Sequence, residues 1–393
     1  MEASRKNLFS ISLSQFGAAF SHNFITVFLP FFIFKISPHS PKDTLVWVGA
    51  IMGSATLGAA ATSPFWGSLT HRYSPKSLYI IAFMANIVTF LLMGFTTDLL
   101  TLLILRIFQG LMGGTSTIGL IILSAMSPKE KVTADIGLFQ SSMTLGQLVG
   151  PLLGSLAAAT LGYKWAFIGA SVLMFLSLVF CHLYVMDVPR LPRMGKAAGG
   201  TALDKRTLVA WVLCFTAVIQ LTFLPSVLPN VFEKFNIERS VALRMAGTVV
   251  MLYTATAMLG TYGWSRLSRK VGLYRMIGFL FILGILLQAL LAFSRGIVDF
   301  TLIRMAQTGI MAATLPLIMS AFVGESRGSI IGFLNSSRFA GNAVGPMIAT
   351  GILALTDLTT VYLFISGFTL CVFLGFKLTF KEAEGFFDVS KAG

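Results

Sequence analysis

Several polar side chains capable of chemistry lie inside otherwise apolar stretches of this chain. His22 and Asn23 are adjacent, with Thr26 one turn on. Arg106 stands three residues before Gln109, and Arg304 repeats that spacing before Gln307. Arg338 stands four residues before Asn342, and Gln220 is the polar residue nearest the middle of its own apolar run. Spacings of three and four put both side chains on one helix face. Each arginine pair therefore offers a fixed cation and an amide to the same neighbour. A guanidinium fork suits carboxylate or phosphate, and an imidazole with an unperturbed pKa of about 6.5 suits proton carriage. The plainer role for His22 is a neutral hydrogen bond to a neighbouring helix.

An arginine at the centre of a membrane helix costs about 2.5–3.5 kcal/mol, so it faces a cavity or partner unless it reaches the helix end. At about 1.5 Å per residue, Arg106 and Arg304 lie roughly 10–12 Å from the outer ends of their helices, within reach of snorkelling. Arg338 lies roughly 15 Å in, where snorkelling is harder and a cavity or partner is favoured. No carboxylate joins these groups. All fifteen Asp and Glu fall in loops or near helix ends, Asp135 and Glu233 being the nearest candidates. A cationic substrate is met by buried carboxylates and aromatic faces. Embedded arginines without carboxylates favour a neutral or anionic amphipathic molecule. The 35 phenylalanines read as lipid-facing or packing residues rather than a binding box.

The elements that position these groups follow from composition. Of 393 residues, 55% are hydrophobic and 11% charged, with mean hydropathy +0.83. Soluble domains carry roughly 25% charged residues; this chain cannot cover a water-facing surface, and the bilayer is its main solvent. Twelve apolar runs are long enough to span: 8–34, 44–69, 76–95, 98–126, 134–159, 164–186, 206–231, 241–265, 273–293, 297–322, 328–354 and 357–379. The basic start, followed at once by a long apolar run, reads as a cytoplasmic end feeding a first spanning helix, with no cleavable signal. The break at 187–205, rich in Pro, Gly and basic residues, divides the runs six and six. The expected organisation is an N-terminal six-helix bundle over 1–186, a cytoplasmic linker over 187–205 and a C-terminal six-helix bundle over 206–393. With the N-terminus inside, 19 Lys and Arg fall in inner segments and 7 in outer ones, so both termini are expected to be cytoplasmic. The net charge of +14 is then topological, and no nucleic-acid partner is expected. Cys181, Cys214 and Cys371 lie within apolar runs at no metal-ligand spacing and read as buried hydrophobes.

The two halves repeat. Ile136 to Pro151 aligns without a gap to Ile331 to Pro346, sharing a Ser-Ser pair and a Gly-x3-Gly-Pro ending; Arg106 and Gln109 align with Arg304 and Gln307. Both pairs of segments are six runs apart, as in two-bundle transporters. Gly146, Gly150 and Gly154 leave one face of the fifth run without side chains, so another helix can approach closely, and Pro151 bends it. Gly341, Gly345 and Pro346 do the same on the eleventh. These glycines serve either tight packing or a pivot between the bundles.

Three segments resemble the major facilitator superfamily. Gly146-x3-Gly150-Pro151-x2-Gly154 is similar to the antiporter motif of drug:proton antiporters, and Leu105-Arg106-Ile-Phe-Gln109-Gly110 to that family's second motif. Pro64 to Lys76, with Gly67, His71, Arg72 and Lys76, resembles the superfamily's signature loop. His71 replaces the usual aspartate and Ser74 a glycine, while Arg269 takes the acidic position of the corresponding second loop. The aspartate latch of the outward-facing state would therefore need other partners. The resemblance implies alternating access about a site formed by the first, fourth, seventh and tenth runs.

The leading expectation is a proton-coupled efflux antiporter in a bacterial inner membrane. It would act as a monomer on a small-molecule substrate, with the lipid bilayer around it, no metal and no cofactor, the proton gradient supplying energy. The alternatives are an organic-anion exchanger or uptake carrier using the embedded arginines, and a ligand sensor that transports nothing. The sequence holds no H-E-x-x-H and no nucleotide loop, so an enzyme is not expected. The candidate binding or coupling residues are His22, Asn23, Arg106, Gln109, Gln220, Arg304, Gln307, Arg338 and Asn342.

Overall fold

A computed structural model describes residues 2–127, 131–188, 205–320 and 328–379. They are helical, with no strand among the described residues. The helices are α1 (Glu2–Thr26), α2 (Leu29–Ile36), α3 (Pro41–Leu69), α4 (Pro75–Met93), α5 (Leu99–Leu111), α6 (Thr115–Met126), α7 (Val132–Leu161), α8 (Tyr163–Tyr184), α9 (Lys205–Thr222), α10 (Leu224–Lys234), α11 (Arg239–Val271), α12 (Leu273–Leu290), α13 (Ile297–Met311), α14 (Thr314–Ser320), α15 (Gly328–Leu355) and α16 (Leu358–Thr379). Ten stretches are long and apolar enough to cross a membrane, and the bent pair α1–α2 makes eleven. The remaining expected run is α15, whose 28 residues have ample length but are interrupted by Asn335, Arg338 and Asn342. The expected linker lies outside the described residues apart from 187–188 and 205.

Sixteen helices fill twelve runs because the first, fourth, seventh and tenth runs are each broken once. Three breaks have one cause. A proline has no N–H to give the carbonyl four residues before it. Pro30 thus leaves the carbonyl of Thr26, Pro225 that of Leu221, and Pro316 that of Ala312 without a helical donor, and each of these residues lies at the break. The first break bends the chain by 42°. The fourth run breaks instead at Gly113-Gly114. Two links contract to single glycines, Gly162 (φ 86) between α7 and α8 and Gly272 (φ 94) between α11 and α12; side chains disfavour that backbone region. Side-chain oxygens cap other helices. Asp98 accepts from the Thr101 N–H (2.8 Å) ahead of α5, and Asp357 from the Thr360 N–H (2.8 Å) ahead of α16.

The chain groups into two compact units. The first comprises residues 1–38, 54–199 and 240–248; the second comprises 39–53, 200–239 and 249–393. In the first, α1 lies along α7 and α8, with α4 against α8. Its core includes Phe83, Phe90, Phe139 and Phe167, all fully buried. In the second, α9 lies along α15, and α12 packs on α13 and α16. Ala217, Leu280, Phe281 and Met311 are buried among them. Cys181 and Cys214 are buried as expected, but Cys371, on α16, is exposed.

Candidate functional site

In the first unit the polar groups gather where α1 meets α4 and α7. His22 sits near the C-terminal end of α1, half-buried. Its Nδ1 lies 2.8 Å from the Ala18 carbonyl oxygen and its Nε2 lies 3.0 Å from Oδ1 of Asn86. Asn86 is fully buried, and its Nδ2 donates to the Ala82 carbonyl (2.7 Å). That bond fixes the amide, because turning it over would set Oδ1 against the Ala82 oxygen. Both ring nitrogens therefore face acceptors. A neutral imidazole has one N–H and satisfies one of them; an imidazolium satisfies both. The edge of Phe90 closes the site, with ring centroids 5.3 Å apart.

Arg106 lies near enough to interact electrostatically with the His22 ring. Its Nη1 donates to Oε1 of Gln109 (2.5 Å), three residues further on, so the guanidinium turns away from the Asp98 end of α5. Snorkelling to that end is not its arrangement. Gln109 is buried, and its Nε2 has no hydrogen-bond partner among the described residues. Asn23 donates to the Ala19 carbonyl (2.8 Å) and lies against Gly150 of α7.

In the second unit Arg304, Gln307 and Gln220 join in one network. Arg304 is fully buried. Its Nη1 donates to the Gln220 carbonyl (2.8 Å) and to Oε1 of Gln307 (2.7 Å), and its Nη2 to the Leu221 carbonyl (2.8 Å). Those carbonyls end α9, where aligned peptide dipoles leave partial negative charge. Phe223 and Tyr253 each bring a ring centroid to 5.1 Å from the guanidinium carbon. Gln307 Nε2 donates to Gln220 Oε1 (2.9 Å), and Gln220 Nε2 to Thr369 Oγ1 (2.9 Å). The paired arginines are thus unequal in setting. Arg304 is enclosed and braces the broken seventh run, whereas Arg106 is half-buried beside a titratable ring. Arg338 and Asn342 are half-buried on α15, apart from the Arg304 network, and Arg338 makes no hydrogen bond or ion pair with another described residue.

The motif glycines are used inside the units. A Cβ on Gly146, Gly150 or Gly154 would meet the backbone of α1 at Phe16, Phe20 and Phe24; one on Gly341 or Gly345 would meet α9 at Val218 and Thr222. Pro151 and Pro346 each face a glycine as well. Gly247 approaches the Pro151 carbonyl in the first unit, and Gly49 the Pro346 carbonyl in the second. In the signature loop, Gly67 has open space beside it, Arg72 is exposed and His71 is half-buried. Lys76 donates to the His182 carbonyl (2.9 Å). Ser74 caps α4 and donates to the Asp187 carboxylate (2.7 Å to each oxygen), so the residue that departs from the family pattern ties down the start of the 187–205 segment.

Sequence reasoning missed Asn86, which orients His22, and Phe223 and Tyr253, which cover Arg304. It also missed a repeated brace. Trp66 donates its indole N–H to the Leu111 carbonyl (2.9 Å), and Trp264 donates to the Gly309 carbonyl (3.0 Å). The two tryptophans have the same spacing in the chain as Arg106 and Arg304, and that signal was available in the sequence.

The chain matches the family model described as Major Facilitator Superfamily over residues 11–303 and 210–386. It is similar to a Bacillus subtilis (strain 168) protein called "Uncharacterized MFS-type transporter YuxJ", 26% identical over 381 residues, covering 90% of this chain and 95% of that one. It is likewise similar to "Multidrug resistance protein MdtG" of Rahnella sp. (strain Y9602), 24% identical over 371 residues, covering 91% and 89%. Among solved structures, the nucleoside transporter NupG superposes with a TM-score of 0.75 at 15% identity, covering 97% of this chain and 100% of that chain, a likeness of fold.

Proposed function

Since the chain belongs to the Major Facilitator Superfamily, whose members are membrane transporters and not enzymes, we propose that it is a proton-coupled secondary transporter exporting a small amphipathic neutral or anionic molecule by alternating access. The observation that carries this reading is His22 held between two acceptors, Ala18 O and Asn86 Oδ1, with Arg106 nearby. Protonation gains a hydrogen bond at His22, while the arginine opposes the added charge. A substrate anion drawn to Arg106 and to the unpartnered Nε2 of Gln109 would shift that balance, which is how proton and substrate binding become linked. Among the described residues every Asp and Glu lies at a helix end or in a loop, so histidine takes the place of a buried carboxylate. Export is supported by the relatives named for multidrug resistance. Their bacterial sources support an inner-membrane home, and the Lys and Arg distribution supports cytoplasmic termini.

The test is transport in proteoliposomes under an imposed pH gradient, with a panel of anionic, neutral and cationic amphiphiles. His22→Ala should leave substrate binding and abolish gradient-driven flux. Flux that ignores the gradient in the wild type would overturn the coupling.

A second reading, an organic-anion carrier, is favoured by Arg338, a half-buried cation on α15 with no partner among the described residues. It requires flux that is independent of pH and is abolished by Arg338→Ala.

A further inference from the structure

The second unit holds polar groups that transport by the first unit's histidine does not use. Arg304 Nε, Tyr362 Oη and both side-chain polar atoms of Gln288 are buried without a hydrogen-bond partner among the described residues. All three residues are within 1% of full burial. Leaving such groups unpaired is costly, so a cluster of them points to a ligand.

Helix register and a shared ring neighbour relate their positions. Phe281 stacks on Phe373 with centroids 5.4 Å apart, and Ser366 donates to the Ile285 carbonyl (2.9 Å), so α12 and α16 run antiparallel in a fixed register. One turn further along that register, Gln288 and Tyr362 reach the same level. Tyr362 in turn shares a ring neighbour with Arg304. Phe223 lies 6.2 Å from the Tyr362 ring and 5.1 Å from the Arg304 guanidinium. Tyr362 is close enough to Arg304 to interact with it electrostatically.

The guanidinium has only one free approach. Phe223 and Tyr253 lie over it, both N–H groups of Nη1 are held by the Gln220 carbonyl and Gln307, and one N–H of Nη2 by the Leu221 carbonyl. The Nε edge remains, and that edge receives anions in the guanidinium plane. Among the described residues Arg304 makes no ion pair, and the two carbonyls offset only part of its charge. The orphaned donors are Arg304 Nε–H, the Tyr362 hydroxyl and Gln288 Nε2–H. The orphaned acceptor is Gln288 Oε1, which a water held by a partly hydrated ion would satisfy.

We propose that Arg304, Tyr362 and Gln288 form a buried site for a small inorganic monovalent anion, chloride or one of similar size, which completes the packing of the second unit. The site does not depend on proton coupling at His22, and its test reads binding rather than transport.

The experiment is thermal unfolding of the purified full chain in detergent, titrated with chloride at constant ionic strength against gluconate, which is too large to enter. The wild type should show a saturable rise in midpoint as chloride increases. Tyr362→Phe and Gln288→Met remove orphaned polar atoms at nearly constant volume. Each should lose most of that rise while matching or exceeding the wild-type midpoint in gluconate, because fewer groups then go unpaired. Radiolabelled chloride retained by the wild type and lost by Gln288→Met would give the same answer without heating. No saturable rise in the wild type, or a rise unchanged in both variants, would overturn the proposal.

Discussion

Arg304 donates through Nη2 to the carbonyl oxygen of Leu221 at 2.8 Å, the very carbonyl that Pro225 leaves without a helical N–H. The break in the seventh run and the buried cation of the tenth are two halves of one arrangement. Proline opens the acceptor and arginine fills it, which lets the chain bend inside the bilayer without stranding a carbonyl.

Stability should register that arrangement directly. Arg304→Gln leaves the Leu221 and Gln220 carbonyls short of donors and should destabilise the second unit by roughly 2–5 kcal/mol. Arg304→Lys keeps the charge but not the fork, and should fall between. Pro225→Ala restores a donor to Leu221, so in that background the cost of losing Arg304 should shrink. A double-mutant cycle on detergent unfolding checks this; strict additivity would refute the link.

His22 predicts a different readout. Asn86→Leu removes the acceptor at Nε2, and with it the extra hydrogen bond that protonation gains. The variant should fold, bind substrate and shift or flatten the pH dependence of flux, measured in proteoliposomes across the range where histidine titrates. A profile identical to the wild type would separate His22 from coupling.

The glycines divide into two groups. Gly154→Ala drives a Cβ into the Phe24 backbone and should disrupt α1–α7 packing, lowering yield and melting temperature. Gly67→Ala meets open space within α3 and should stabilise that helix by about 0.5–1 kcal/mol. If Gly67→Ala nonetheless stops transport with stability intact, a neighbour must approach Gly67 in another conformation.

Acid should loosen two helix starts. The backbone N–H of Thr101 holds the Asp98 carboxyl below its usual range, and the N–H of Thr360 does the same for Asp357. A depressed carboxyl stabilises above its unfolded pKa, about 3.9, and that contribution is lost as pH falls through the lower, folded value. Amide protection in the first turns of α5 and α16, taken relative to the intrinsic exchange rate at each pH, should therefore be full at neutral pH and fall in acid. Asp98→Asn should keep the cap and remove the pH dependence at α5.

Much of this was legible beforehand. Each of the twelve expected runs coincides with a helix or a broken pair, because bilayer thickness imposes a length that composition reveals directly. The repeat was legible in Arg106-Gln109 and Arg304-Gln307. Yet one spacing does not mean one setting. Arg304 is enclosed and Arg106 half-buried, and nothing local to either tetrapeptide distinguishes them. The difference comes from Phe223, Tyr253 and two freed carbonyls arriving from other helices.

The solvent, the number of runs, the twofold repeat and the prolines that break them can all be read from residue order. These are properties of short segments read against a membrane of fixed thickness. Which acceptors flank His22, which arginine is braced and which glycine faces which backbone depend on how the helices pack. Such contacts join residues tens to more than a hundred positions apart, and the free energy of a buried polar group depends on the partners that packing brings to it.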